Sequence, residues 1–217
     1  MVLINYITHI TDVFIHFIKN VPNPHLYYSK NNIVQKIPKN LIDSNQEVIE
    51  RANYLLNKYM KKELSYNNIK DKWNICLTQN DFMFNLPFTL GDIIFMPFDY
   101  NINNMGNSQL LNTFIHEKIH IYQRYNSNAW NDIIEKTTKW RRGNIEPKGI
   151  LNPDIYYMPY TYNNKYYAYL SYENGIIKTN WVSIITGEDI NIDYKYEHPY
   201  EMLAYKLTDE IMKIDKK

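Results

Sequence analysis

Ser108-Gln109-Leu110-Leu111-Asn112-Thr113-Phe114-Ile115-His116-Glu117-Lys118-Ile119-His120-Ile121-Tyr122-Gln123-Arg124-Tyr125 decides the fold class. Leu110, Leu111, Phe114, Ile115 and Ile119 recur at the 3.6-residue period of an α-helix, and Ser108 can cap its start, so the spacing predicts a helix over Gln109–Tyr125. Two histidines and a glutamate fall in the middle of this helical stretch.

Upstream, Trp73–Thr78, Asp81–Leu86 and Asp92–Phe98 read as strands, the last two joined by a turn containing Pro87 and Gly91. Asn101–Asn107 is a loop signal. A helix is predicted over Gln46–Lys62, capped by Asp43 or Ser44, with Val48, Ala52, Leu55, Leu56 and Tyr59 on one face. Leu3, Ile7, Ile10, Phe14 and Phe17 repeat at helical spacing, so residues 1–24 are expected to form an amphipathic N-terminal helix ended by Pro22 and Pro24. Asp12, His9 and His16 make that stretch too polar for a membrane span, and no basic segment precedes it as in a signal peptide. Its polar face lacks the Lys and Arg of a membrane-surface helix, so it is expected to dock on the body of the domain.

Downstream, a helix over Ala129–Trp140 precedes loop at Gly143–Pro153. Lys165–Tyr172 and Ile176–Ile184 form an expected hairpin around Asn174-Gly175. Pro199 opens a last helix to about Lys213, at a first helical position that tolerates proline. No repeat and no linker divides the chain, which is expected to be one α+β domain over 1–217.

Composition narrows the function classes. Lys plus Arg number 24 against 23 Asp plus Glu, a net charge of +1 that gives no field for nucleic acid. Between Lys30 and Lys72 nine basic residues face five acidic ones, and between Glu188 and Glu210 two face seven. An acidic C-terminal region suits a cation site as well as a solvated surface. The single cysteine, Cys76, excludes an intramolecular disulfide and reads as a small buried hydrophobe. The excess of Asn, Ile, Lys and Tyr over Arg follows A/T-rich codons, so tyrosine clusters carry reduced weight here. No transmembrane segment or signal peptide is expected, which points to a cytoplasmic or virion-associated protein.

His116-Glu117-Lys118-Ile119-His120 is the H-E-x-x-H pattern. Residues four apart share a helix face with Cβ atoms about 5–6 Å apart, so two imidazoles can converge on one Zn²⁺ at about 2.0–2.1 Å. Glu117 lies next along the helix, where its carboxylate can reach a water activated by the metal and act as general base. With six His and eleven Glu in 217 positions, chance supplies the pattern in roughly 1% of such chains. The plainer alternative is a pair of hydrogen-bonded histidines on a core helix.

From these residues and the order of elements between Asp43 and Tyr125, the chain resembles the zincins, metallopeptidases with an active-site helix beside a small twisted, mainly antiparallel sheet. The resemblance implies one bound Zn²⁺, a peptide or protein substrate, and an edge strand, here Ile93–Met96, that pairs with extended substrate. The metzincin extension is absent, because Gln123 and Asn126 stand where Gly and His belong. The gluzincin branch implies a third ligand on a later helix, with a small residue three positions on. Glu201-Met202-Leu203-Ala204 fits, and Glu197 and His198 are its competitors. Gluzincins often place an Asp four residues beyond that Glu; Tyr205 stands there, and Asp209 is one turn further. The codon bias and the segment from Asn152-Pro153-Asp154 through His198-Pro199-Tyr200-Glu201 look like those of uncharacterised zincins of giant DNA viruses.

Zinc peptidases often stabilise the oxyanion with a Tyr, His or Arg. The tyrosine-rich stretch from Tyr156 to Tyr172 offers Tyr157 and Tyr160 for that role, against a plain reading as hairpin faces. Trp140-Arg141-Arg142 is suited either to binding a carboxylate or to closing a helix end. The expectation is therefore a zinc metallopeptidase with ligands His116, His120 and Glu201 and base Glu117. The alternatives are a catalytically silent zincin fold acting as a virion or host-interaction protein, and a structural domain with no metal.

Overall fold

The computed structural model describes residues 2–7, 37, 39–79, 85–98, 106–144, 152–154, 159–173, 176–192 and 194–215. Among them, four helices and two sheets make an α+β architecture. The chain falls into two compact units, Met1–Asn126 with Ala204–Lys217, and Ser127–Leu203, where the sequence reads as one domain.

The first unit holds β1 (Leu3–Ile7), α1 (Lys39–Tyr59), β2 (Lys72–Thr78), β3 (Phe88–Leu90), β4 (Ile93–Pro97) and α2 (Asn107–Tyr125). Its sheet has the order β1-β2-β4-β3, with β1, β2 and β4 parallel and β3 antiparallel to β4. β4 is buried along its whole length and β2 along most of it, which is why both read as near-continuous apolar runs rather than alternating ones. A ladder of side-chain amides crosses the strands. Asn5 Nδ2 donates to Asn74 Oδ1 at 3.0 Å, and Asn74 Nδ2 donates to Asp92 Oδ2 at 2.9 Å. Such pairs pin register, because a one-residue slip would move every side chain to the wrong face.

The structure corrects several expectations. The N-terminal segment begins as a strand, not a helix: Leu3–Ile7 pairs with Lys72–Cys76. Two periods coexist in that stretch, and the parallel ladder with β2 selects the period of two; Ile10, Phe14 and Phe17 lie outside the described residues. β4 is not an edge strand, because it lies between β2 and β3; the edge next to it is β3. The sheet beside α2 is mixed rather than mainly antiparallel, although five of the seven pairings in the two sheets among the described residues are antiparallel. Of the strand expected at Asp81–Leu86, Asn85 and Leu86 carry no strand and 81–84 lie outside the description. The tight β3–β4 turn puts Gly91 at φ 58°, in the left-handed region that a two-residue hairpin turn asks of glycine.

α1 starts at Lys39, earlier than expected, so Asp43 and Ser44 lie inside it; Ser44 Oγ donates back to Leu41 O at 3.1 Å. α1 packs on α2, and α2 covers β3 and β4. Trp73, Phe95, Phe114, Ile49 and Leu55 form the centre of this core, each fully buried. Burying side chains of this size contributes roughly 1.5–3 kcal/mol apiece. Trp73 meets Phe114 edge-on at 6.1 Å and donates its Nε1–H to Asn53 Oδ1 at 3.0 Å.

The second unit holds α3 (Ser127–Thr137) and a sheet of β5 (Trp140–Arg142), β6 (Tyr160–Tyr162), β7 (Tyr166–Glu173), β8 (Ile176–Ser183) and β9 (Asp189–Ile190), antiparallel in that order. Trp140, which the sequence put at a helix end, begins β5. β7 and β8 are the expected hairpin pair, in register from Tyr166↔Ser183 to Glu173↔Ile176. Arg141 Nη1 donates to Thr138 O at 2.8 Å, and Arg142 Nε reaches Glu135 Oε1 at 2.9 Å, so both arginines serve the end of α3. Trp130, Trp140, Trp181 and Val182 fill this core. α4 (Pro199–Asp215) starts in this unit and runs as one continuous helix into the residues of the first.

Candidate metal centre

α2 is unusual for what it buries. Its start is capped by Gly106 rather than Ser108, without a side-chain hydrogen bond. At its end the Asn126 backbone N–H bonds Tyr122 O at 2.9 Å. In between, every residue from Glu117 to Gln123 is buried, and four of them are polar: Glu117, Lys118, His120 and Gln123. An uncompensated buried polar group costs on the order of 1–3 kcal/mol, more if charged, so each needs a partner.

Lys118 finds one away from the motif's face. Its Nζ donates to Ile69 O at 2.8 Å and to Lys72 O, and lies 4.8 Å from the centre of the Trp73 ring. Burial pushes its pKa down to about 7, against the smaller opposing pull of Asp92 and Asp71. His120 Nδ1 stands 2.8 Å from Gln123 Oε1, one helical turn on. An amide oxygen only accepts, so the proton sits on Nδ1 and Nε2 keeps its lone pair. That is the tautomer a metal bound at Nε2 requires, held by the kind of partner ligating histidines use.

His120 Nε2 and His116 Nε2 face each other 3.0 Å apart, with the rings 4.7 Å apart and nearly perpendicular. His116 is half-buried, and the Tyr205 ring stands against it at 4.4 Å. Glu201 lies in the first turn of α4, where the helix dipole favours a carboxylate, and is buried. One ligand atom from each of His116, His120 and Glu201 lies within 4.8 Å of the others, a group that can hold a metal ion.

The other sequence candidates part company. His198 caps α4, its Nδ1 accepting from Tyr200 N–H at 3.2 Å, and packs edge-on against Tyr160. Glu197 is half-buried and shares an amide donor with Glu201: Asn152 Nδ2 reaches Glu201 Oε1 at 2.8 Å and Glu197 Oε1 at 3.3 Å. Asp209 is exposed and lines a surface groove with Gln109, Asn112 and Thr113. Tyr160 belongs to the core of the second unit, where its hydroxyl donates to Asn131 Oδ1 at 2.5 Å. Tyr157 lies outside the described residues. Sequence reasoning missed Gln123 and Asn152 as partners of His120 and Glu201; Gln123 was legible as a polar residue three positions past His120, whereas Asn152 is 49 residues from Glu201 and left no signal of spacing.

The chain was compared with family models, with curated proteins and with solved structures, and nothing matches. Its own residues therefore carry the functional reading. Among the described residues no helix is long and apolar enough to cross a membrane.

Proposed function

We propose that the chain is a zinc-dependent metallohydrolase of the zincin kind, acting on peptide bonds, with His116, His120 and Glu201 as ligands and Glu117 as general base. The observation that carries this reading is the convergence of two imidazole nitrogens and a carboxylate within 4.8 Å, with Glu117 beside them on the same buried helix. The donor set fits zinc. Two ligands at about 2.0–2.1 Å in tetrahedral array lie about 3.3 Å apart, and the two Nε2 atoms stand 3.0 Å apart. Structural zinc sites close with four protein ligands, whereas three leave a position open to water or substrate. When bound, zinc supplies Lewis acidity and lowers the pKa of a coordinated water toward ~7.

Glu117 takes the proton of the attacking water and returns it to the leaving nitrogen, as general base and then general acid. Gln123 holds the His120 ring in its ligating tautomer. β3, the short edge strand packed under α2, is the place for an extended peptide to add by main-chain hydrogen bonds, in place of the strand expected from sequence. Arg124 braces it from α2, donating to Gly91 O at 2.6 Å and to Thr89 Oγ1 at 3.0 Å.

Elemental analysis of protein purified without a metal-affinity tag is expected to find close to one zinc per chain. Glu117→Gln keeps the size of the side chain and removes the base; it is expected to retain zinc and lose cleavage of a peptide library by a factor of about 10²–10⁴. Loss of zinc from that variant would make Glu117 a ligand and overturn the role given to it. Stoichiometric zinc with no turnover of any peptide by the parent would favour the silent zincin-fold reading.

A further inference from the structure

Asn152 is followed by Pro153, which biases the residue before it to extended backbone, and the turn that results is closed by the asparagine itself. Asn152 Oδ1 accepts the Asp154 backbone N–H at 3.0 Å. With the oxygen so committed, the two amide hydrogens face the other way, toward the start of α4. There Nδ2 reaches Glu201 Oε1 at 2.8 Å and Glu197 Oε1 at 3.3 Å. One NH₂ group thus stands between two carboxylates four residues apart on the chain, and its two hydrogens match the two acceptors. Glu201 is buried, so this donor acts where a hydrogen bond to a charged group is strongest.

We infer that Asn152 is a positioning residue of the metal centre, which orients the Glu201 carboxylate toward the two histidines and keeps Glu197 apart from it. The inference rests on the reading of Glu201 as a ligand. A carboxylate in a first helical turn can rotate freely about its last bond. With Oε1 held by Asn152, that rotation is blocked and the ligand geometry exists before the metal arrives. The same NH₂ screens the repulsion between Glu201 and Glu197, which would otherwise drive the two side chains apart. Asn152 touches neither metal nor substrate; it acts through Glu201.

The test measures zinc affinity of the full chain by competition with a chromogenic chelator, for Asn152→Ala, Glu201→Ala and the double variant, with unfolding temperatures taken in chelator. Asn152→Ala is expected to weaken zinc about 10–100-fold, as loss of a ligand's outer partner does, while unfolding near the parent temperature. In the Glu201→Ala background it is expected to change zinc affinity no further, because the residue it acts through is gone. Asn152→Ser guards against a damaged turn. Its hydroxyl still accepts the Asp154 N–H but ends one bond short of the carboxylates, so it is expected to fold like the parent and lose zinc like the alanine variant. Parental zinc affinity in both Asn152 variants, with Glu201→Ala strongly weakened, overturns this inference and leaves the metal site standing. An equal further loss in the Glu201→Ala background also overturns it, since Asn152 then acts by another route. Parental affinity in Glu201→Ala itself overturns the ligand set and this inference together.

Discussion

Two buried polar clusters in this molecule are built on opposite plans. In the second unit Tyr160 and Tyr200 both donate hydroxyl protons to one acceptor, Asn131 Oδ1, at 2.5 and 2.7 Å. Two donors meet an oxygen with two lone pairs, so this acceptor is fully used. On α2 and the first turn of α4, His116, His120 and Glu201 each bring one ligand atom within 4.8 Å of the others, and the two Nε2 atoms stand 3.0 Å apart. Gln123 holds His120 through Nδ1, and Asn152 holds Glu201 through Oε1. A network that satisfies itself contributes stability; a convergence of electron-pair donors contributes a site for a cation.

The largest expected effect separates the two directly. His116→Ala or His120→Ala is expected to weaken zinc on the order of 10³-fold, since a binding free energy of about 10–16 kcal/mol is shared among few ligands. The metal-free fold should persist in both variants, with the lower unfolding temperature in His120→Ala, which removes the buried His120 Nδ1–Gln123 Oε1 hydrogen bond. If both variants keep stoichiometric zinc, the comparison collapses and the metal, if any, is held elsewhere.

Against that comparison, what the sequence showed and what it hid divide by range. The helix pair of His116 and His120 was legible because a four-residue spacing maps directly onto one face of α2. β2, β4, α2, the β7–β8 pair and α4 were legible because each is a strong local period bounded by turn residues. Leu3–Ile7 was misread because its apolar residues satisfy periods of two and of nearly four, and only the ladder with β2, some 70 residues away, decides between them. The edge strand was misplaced for the same reason: the order β1-β2-β4-β3 is a long-range fact. Tyr160 was read as a candidate stabiliser because composition cannot distinguish a hydroxyl aimed into a site from one bonded to a core asparagine.

Asn131→Ala should give the largest loss of stability among these expectations. It strands two buried hydroxyls at once, at about 1–3 kcal/mol for each unsatisfied group, so denaturant unfolding is expected to fall by about 2–4 kcal/mol while zinc affinity stays at the parent value. A loss of zinc without a loss of stability would mean that the aromatic cluster serves the site and not the core.

Lys118 offers a smaller effect on the same helix as His116 and His120. Its folded pKa is depressed to about 7 by burial, whereas the unfolded chain holds its proton to about 10.4. Between those values unfolding takes up a proton, so raising the pH opposes unfolding and parent stability should rise, by at most about 1.4 kcal/mol per pH unit. The penalty of burying the charge is felt in full below pH 7 and is relieved above it. Lys118→Met, of similar length and without the charge, should lack this slope between pH 7.5 and 9. Parallel slopes for parent and variant would show that the amine stays charged in its cage of carbonyls.

Tyr160→Phe carries the smallest expected effect and the sharpest reading of the comparison. The substitution deletes one hydroxyl and leaves Asn131 Oδ1 still accepting from Tyr200. The loss is then one net hydrogen bond, about 1 kcal/mol of unfolding free energy. Zinc affinity and the rate of peptide cleavage should be unchanged, because the lost proton was donated to a core amide. A transition-state stabiliser behaves in the opposite way: its removal spares stability and lowers kcat by about 10²–10³-fold. If Tyr160→Phe gives that second pattern, the hydroxyl must leave Asn131 when substrate binds. The closed cluster would then be closed only in the free protein, and the role expected from sequence would return to Tyr160.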